Sequence, residues 1–498
     1  MLQLKGYGRR SNDVVLTITM KILLMVLLGA CVMSLADCSR RRDDELAAGS
    51  FDDMVRRHRD GQNHLPNDIP ITDDTGVFTT VSAQGFIDLG NEFFQDLGTN
   101  GRRCVSCHVP TVGWTLTPRE LAAVFEATEG GVRADPFGLG AVFRTLDGAN
   151  SPNADVSTLE KRRQAYSLLL NRGLIRIGLA MPANAEFDLV AVDDPYAFAS
   201  AAQLSLYRRP LPSTNLKFDS TVMWDGREVV AGETVLQELE TQASDATVIH
   251  AQGKPLTDAQ RSSVAAFIVG LASAQTFDRS AGHLHEDGAR GGPEEILAQP
   301  FYIGINDNFG DSKTGAPFNP VVFNLYDAWT CSCGRDGDTR RAVARGQALF
   351  NTKSIAIVGV SGINDEPAFG TPDKLMGTCT TCHDTPNGGN HSVVLPLNIG
   401  LSDESRRTPD LPLYTFQNRT TKAILKLTDP GRGLIDGKWA HLGRFKGPML
   451  RDLAVRAPYF HNGFAADLAA VVNFYDERFN IGFSACEKAD LVAFLRAL

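Results

Sequence analysis

The sequence predicts an all-α protein built twice over, with loop insertions between its helices, and two observations carry that expectation. First, the pattern C-x-x-C-H occurs twice, as Cys104-Val105-Ser106-Cys107-His108 and as Cys379-Thr380-Thr381-Cys382-His383. Second, the stretches that close the two halves, residues 256–268 and 483–495, align without gaps. Each opens with a capping box, Thr257 with Gln260 and Ser484 with Glu487, and continues with an apolar face of helical period. Between these elements, Trp224-Asp225-Gly226 stands in the first half where His461-Asn462-Gly463 stands in the second. Two generic amphipathic helices would explain the chain ends, but not three elements recurring in one order, with a helix expected ahead of each motif, so we read an internal duplication.

The C-x-x-C-H spacing is the attachment signature of a c-type haem. Two thiols three positions apart can add to the two vinyl groups of one porphyrin, which leaves the adjacent imidazole against the iron. Cys104, Cys107 and His108 would hold one haem, and Cys379, Cys382 and His383 a second; a zinc site or a dithiol redox pair is the alternative for a single copy. Of the nine cysteines, two more (Cys31 and Cys38) lie near the N-terminus, and Cys331, Cys333 and Cys486 are assigned no catalytic role. An oxidising compartment would let those three pair, but sequence does not give the connectivity.

Taken in order, residues 1–36 read as a secretory signal: Lys21 precedes an apolar run from Ile22 to Ala36 that is too short for a comfortable membrane span. Ser34-Leu35-Ala36 offers a cleavage site and is preferred, whereas Leu28-Gly29-Ala30-Cys31 resembles a lipoprotein box. Either route exports the chain, and the expected compartment is the periplasm, with contact to a membrane only through such a lipid anchor. Residues 37–79 read as a charged tether and 80–275 as the first haem domain. Within the latter, Phe86, Leu89, Phe93 and Leu97 suggest an amphipathic helix ending at Gly98, residues 159–174 are helical by pattern, and 181–194 strand or loop. Residues 276–335, rich in Gly, Pro, Asn and Asp, form an inter-domain linker, and 336–498 the second haem domain, opening on a helix around Val343, Leu349 and Phe350. The net charge of -9 argues against a nucleic-acid partner.

This order of motifs resembles the bacterial dihaem cytochrome c peroxidase and MauG superfamily. The stretch from Phe445 to Gly463 is similar to the family's F-K-x-P-x-L-R…P-Y-F-H-x-G signature, and Trp224-Asp225-Gly226-Arg227 to its W-D-G-R. The resemblance implies two cytochrome c-like domains facing each other. Hydrogen peroxide would meet the N-terminal haem, and the C-terminal haem would store or relay an electron. A small redox protein, a cytochrome c or a cupredoxin, would be the donor, or a partner would be oxidised. Trp224 is similar to the tryptophan lying between the haems, and an ordinary core tryptophan is the alternative. Gln242 matches the family's distal glutamine, whereas Gln252 stands where the peroxidases carry glutamate, and an amide cannot act as a base. His250 could take that task or occupy the iron, and Glu240 is a further candidate. Tyr475 stands where the peroxidases have a methionine ligand and MauG-like members a tyrosine; Met449 is its rival, and Tyr475 merely packing beside the haem is the third option. Calcium between the domains is a family trait for which only Asn215 could substitute here, so it has no support. A dihaem electron carrier without peroxide chemistry is the alternative function.

Overall fold

The computed structural model describes residues 63–135, 137–334 and 336–498. The signal segment and the first part of the tether lie outside them. Among the described residues no helix is long and apolar enough to cross a membrane.

The all-α expectation is overturned: 31% of the chain is helical and 16% is strand, in several sheets, so the protein is mixed α/β. The helices that frame the site are α1 (Val235–Ile249), α2 (Asp258–Val269), α3 (Gly337–Thr352), α4 (Leu468–Phe479) and α5 (Ala485–Arg496). α2 and α5 both start with the expected reciprocal caps, Thr257 with Gln260 and Ser484 with Glu487. What the apolar pattern did not disclose is the β-structure that holds these helices. Gly76–Ser82 is buried along its whole length, and its β-branched and aromatic run Val77-Phe78-Thr79-Thr80-Val81 suits a strand covered on both faces. It pairs antiparallel with Leu271–Asp278, which directly follows α2, and Ile71–Thr72 and Gly282–His283 complete a four-stranded sheet. The last part of the expected tether, from His64 onward, therefore lies in strands.

The helix expected over Phe86 to Leu97 is also absent. Phe86–Asp88 is a strand paired with His64–Pro66, and only a short 3-10 turn, Glu92–Phe94, follows. The residues between explain it. Asp88 accepts from the Gly90 backbone and Asn91 from the Phe93 backbone, so both side chains serve turns where a helix would need its own ladder. Phe93 and Phe94 are then buried side by side.

Residues 159–174 form two short helices, Leu159–Ala165 and Ser167–Arg172, and 181–194 contain the strand Phe187–Asp193. That strand joins Leu413–Asn418 and Ile424–Leu427 from the second half in one antiparallel sheet with its own core of Phe187, Tyr414 and Phe416. The insertions of the two halves thus fold together. Separate cores surround the two C-x-x-C-H turns, one built on Phe93, Trp114 and Phe267 and the other on Phe323, Phe350 and Phe494.

α3 and α5 cross at Gly346, where a Cβ would lie 2.0 Å from the Asp490 carbonyl oxygen, and Arg345 clamps the Asp490 carboxylate through two bonds of 2.7 Å beside it. Gly346→Ala should therefore wedge the helices apart and lower stability by about 1–3 kcal/mol. Urea unfolding followed by far-UV circular dichroism measures this, and an unchanged midpoint would contradict the close crossing.

Candidate functional site: two cysteine-histidine turns and the wall between them

The two C-x-x-C-H segments fold alike. Cys104–Ser106 and Cys379–Thr381 are single 3-10 turns. In each, a hydroxyl three residues on accepts the backbone N–H that enters the turn, Ser106 from Arg103 and Thr381 from Thr378, both at 3.0 Å. In each, the histidine N–H returns to the first cysteine's carbonyl, at 3.0 Å for His108 and 3.2 Å for His383. The imidazoles have matching anchors too. His108 Nδ1 meets the Trp114 carbonyl at 3.3 Å, and His383 Nδ1 meets the Gly389 carbonyl at 2.5 Å, each acceptor six residues on. A carbonyl can only accept, so these contacts put the proton on Nδ1, the tautomer in which Nε2 can ligate a metal; the Leu211 carbonyl is a second backbone partner of His108. Burial pushes both imidazoles down to about 4, which keeps them neutral at pH 7. A phenylalanine flanks each ring, Phe93 at 6.3 Å from His108 and Phe350 at 5.9 Å from His383, and each packs on its terminal helix through Phe267 and Phe494.

Each turn opens on a cavity. The second cavity has an empty volume of about 1530 Å³ including its mouth. Its wall is apolar, with Cys379, Cys382, His383, Met449 and Tyr475 among the lining residues. Both expected rivals for the sixth ligand therefore reach this space. The Tyr475 phenol is pushed well above its ordinary value by burial and by the neighbouring Cys382 and Cys379, so it is protonated unless a metal draws the proton off. At the first turn, two volumes of about 680 and 940 Å³ share Cys107, His108, Gln242 and His250. These spaces, the cysteine spacing and the committed Nδ1 protons fit a covalently held porphyrin at each turn.

Trp224 lines both the second cavity and the larger of the first two, and so stands in the wall between them. Its indole N–H donates to the Arg209 carbonyl at 2.8 Å, and its ring lies 6.2 Å from that of His461, which stacks on Phe445 at 4.0 Å. The wall is tied by buried charge. Arg208 donates to both oxygens of Asp429, at 2.7 and 2.9 Å, and to Asp225 at 2.5 Å, while Arg227 also pairs with Asp225.

The distal candidates separate. Gln242 on α1 and His250 at its C-cap line the first cavity, whereas Gln252 is exposed and outside it. Gln252 sits at φ +54° in the loop that leaves α1, and its carbonyl accepts from Thr99, so its backbone serves the turn. Glu240 accepts from Ser262 away from the cavity. Asn215 is spent as well: its amide donates to and accepts from the Ser273 backbone, at 2.9 and 3.1 Å, so it offers no cradle for calcium. Among the described residues no three His, Cys, Asp or Glu side chains converge as a metal site.

Sequence reasoning missed Asp147 and Arg102. Asp147, buried in the inserted stretch, accepts from His250 Nδ1 at 2.6 Å and is ion-paired with Arg102. Burial alone would raise this carboxyl, but Arg102 and His250 beside it hold it below the ordinary carboxylate range. Asp147 and His250 are 103 positions apart, and no local pattern marks their pairing.

No protein-family model matches the chain. Part of it is similar to curated proteins. The cytochrome-c peroxidase IdrP2 of Denitromonas iodatirespirans is 34% identical over 132 residues, which is 24% of this chain and 36% of that protein. The cytochrome-c peroxidase IdrP1 of Pseudomonas sp. (strain SCT) is 30% identical over 140 residues, with the same shares. The chain thus spans little more than a third of the length of these relatives. The similarities support a likeness to cytochrome c peroxidases over about a quarter of the chain.

Arg208 neutralises two buried carboxylates, and Arg208→Met would leave both without it. Loss of about 3–5 kcal/mol is expected, read as a lower thermal midpoint, and a variant as stable as the parent would show that the network is dispensable.

Proposed function

We propose that this relative of the cytochrome-c peroxidases is an exported oxidoreductase that carries two c-type haems and reduces hydrogen peroxide, or uses it to oxidise a partner. The observation that carries this reading is the repeated turn, with its Nδ1 proton committed to a carbonyl six residues on, on both sides of a single tryptophan.

Each haem, when bound, would supply the redox chemistry by which electrons are stored and passed to peroxide. The thioethers of Cys104 and Cys107, and of Cys379 and Cys382, would anchor the rings, and Nε2 of His108 and of His383 would face the irons. Reducing one peroxide to two waters takes two electrons and two protons. At the first cavity His250 is placed to move a proton: Asp147 fixes its Nδ1–H, as a carboxylate orients a general base, and leaves Nε2 to take a proton from one peroxide oxygen and return it to the other. The Gln242 amide can hold peroxide but cannot take its proton. Trp224 would carry the electron across the wall, and a small redox protein, a cytochrome c or a cupredoxin, would supply it. Tyr475 or Met449 would complete the second iron, and Tyr475 there would favour the MauG-like oxidation of a partner. The N-terminal apolar run supports export to the periplasm.

One observation favours a second reading. His250, which lines the first cavity with its Nδ1 held by Asp147, could itself ligate the first haem and make the chain an electron carrier.

The test starts with the pyridine haemochrome, which should count two haems per chain in the parent and one in each of the Cys104→Ala/Cys107→Ala and Cys379→Ala/Cys382→Ala variants. Optical and EPR spectra before and after stoichiometric peroxide follow. Loss of a high-spin ferric signal within seconds supports the peroxidase. Two low-spin haems, inert to peroxide in both the diferric and the half-reduced protein, replace it with the electron carrier. His250→Ala should lower the peroxide rate by about 10²-fold or more, the usual scale for a lost general base, and Asp147→Asn should lower it less.

A further inference from the structure

Outside the two turns, the described residues contain three cysteines, Cys331, Cys333 and Cys486, and all three are exposed. Cys331 and Cys333 are separated by one serine, and the chain on both sides of that serine is held. The 3-10 helix Asp327–Cys331 is anchored by Trp329, which is fully buried, donates its indole N–H to the Glu286 carbonyl at 3.1 Å and packs against the Arg340 guanidinium at 4.9 Å. The Ser332 N–H donates to the Trp329 carbonyl at 3.2 Å, and the Ser332 carbonyl accepts from Arg341 of α3. The flanking thiols stay at the surface. Cys333 Sγ folds back onto residue 331 and donates to its carbonyl oxygen at 3.5 Å.

This geometry decides between the pairings that the spacing leaves open. Ser332 is extended, at φ −58° and ψ 140°. That conformation rises about 3.1 Å per residue and puts the Cα atoms of Cys331 and Cys333 about 6 Å apart, inside the limit of about 7 Å for a disulfide. Cys486 belongs to the other end of α3. Its neighbour Glu487 is bonded by Lys353, where α3 ends, at 2.6 Å, whereas Arg341, which holds Ser332, is in the second turn of that helix. From Arg341 to Lys353 the helix rises about 18 Å.

We propose that Cys331 and Cys333 form a reversible disulfide with each other, by exchange with a small disulfide of the surrounding compartment, and that Cys486 takes no part. The step balances without the haems. One cysteine thiolate attacks the external disulfide and releases one thiolate from it. The second cysteine thiolate then attacks the mixed disulfide and releases the other. The protons of the two cysteines pass to the two leaving thiolates, so two thiols are oxidised and one external disulfide is reduced. Exposure of both sulfurs puts the pair among labile disulfides, because a thiolate can reach either atom. Only the supply of external disulfide rests on the reading of export above.

The experiment equilibrates the full haem-loaded chain with glutathione buffers stepped from reduced to oxidised, alkylates free thiols in denaturant without reductant, and weighs the tryptic peptides. Both cysteines fall in one such peptide, residues 314–335. It should pass from a doubly alkylated form to an unalkylated form lighter by two hydrogens, and return when reduced glutathione is restored. Cys486→Ser should leave this conversion unchanged, and Cys333→Ser should abolish it. Double alkylation under fully oxidised glutathione, a stable mixed disulfide with glutathione, a link to the peptide of Cys486 or Cys38, or a closed form that does not reopen would each overturn the proposal. Acid trapping of the chain in cells before alkylation separates the reading of export: a fully reduced peptide there, with closure in glutathione intact, overturns the oxidising compartment and leaves the pairing standing.

Discussion

Each cysteine-histidine turn depends on one hydrogen bond, from an imidazole Nδ1 to a backbone carbonyl six residues on. That bond fixes the tautomer, stops the ring rotating and aims Nε2 away from the chain. The carbonyl must in turn be aimed at the ring, and the two halves achieve this differently. In the second half the acceptor is Gly389, at φ +71°, a conformation glycine adopts without strain, and Phe323 packs where a Cβ would stand. In the first half it is Trp114, at φ +58°, where a bulky side chain is costly by about 1–3 kcal/mol. The cost is met by burial and by one bond: the indole N–H donates to Thr80 Oγ1 at 3.0 Å, on the buried strand Gly76–Ser82. The sheet that overturns the all-α expectation is therefore the element that holds the carbonyl that holds His108.

What was legible in the sequence were features carried by short spacing. The paired turns, the capping boxes of α2 and α5 and helix α3 each depend on residues within one or two turns of each other, and the structure has them all. Trp224 was legible through its place in an order of motifs, and it lies in the wall between the cavities. What was not legible depends on partners far along the chain. Thr80 meets Trp114 across 34 positions, Arg208 meets Asp429 across 221, and His250 meets Asp147 across 103. Phe86, Leu89, Phe93 and Leu97 have a helical period, yet Asp88 and Asn91 compete for the backbone with their own side chains, and a strand and a turn result. Periodicity reports which residues are buried, not which ladder the backbone uses. Gln252 shows a related limit: alignment by count put it with the distal candidates, but it is itself the left-handed residue of the loop that leaves α1, and its side chain is exposed.

The two halves differ in the element that precedes the cysteine-histidine turn. In the second half a full first helix, α3, packs on the terminal helix α5 through the Gly346 crossing. In the first half only the 3-10 turn Glu92–Phe94 remains against α2, and Asn91 and Glu92 reach Ser263 by side-chain hydrogen bonds instead. The aromatic contacts to the histidine are nevertheless the same, because Phe93 has the relation to His108 and Phe267 that Phe350 has to His383 and Phe494. Packing around the imidazole is thus alike in the two halves although only the second has the helix.

The two cavities differ in what they can do with charge. The second is walled by Ile355, Ile357, Leu397, Val472 and Phe479, and a charge change there meets a medium that reorganises little. The first has Asp147, Arg208, Arg209, Arg227 and His250 in its wall, and these groups can stabilise charge and, at His250, exchange a proton. Electron storage gains from the former environment, because little has to move when the electron leaves. Breaking an oxygen–oxygen bond gains from the latter, because protons must arrive as the electrons do. Such a division of labour requires that electrons cross the wall and protons do not. Under the proposed function Trp224 would meet that condition through its one polar group: the indole N–H is committed to the Arg209 carbonyl, which accepts but cannot pass a proton on.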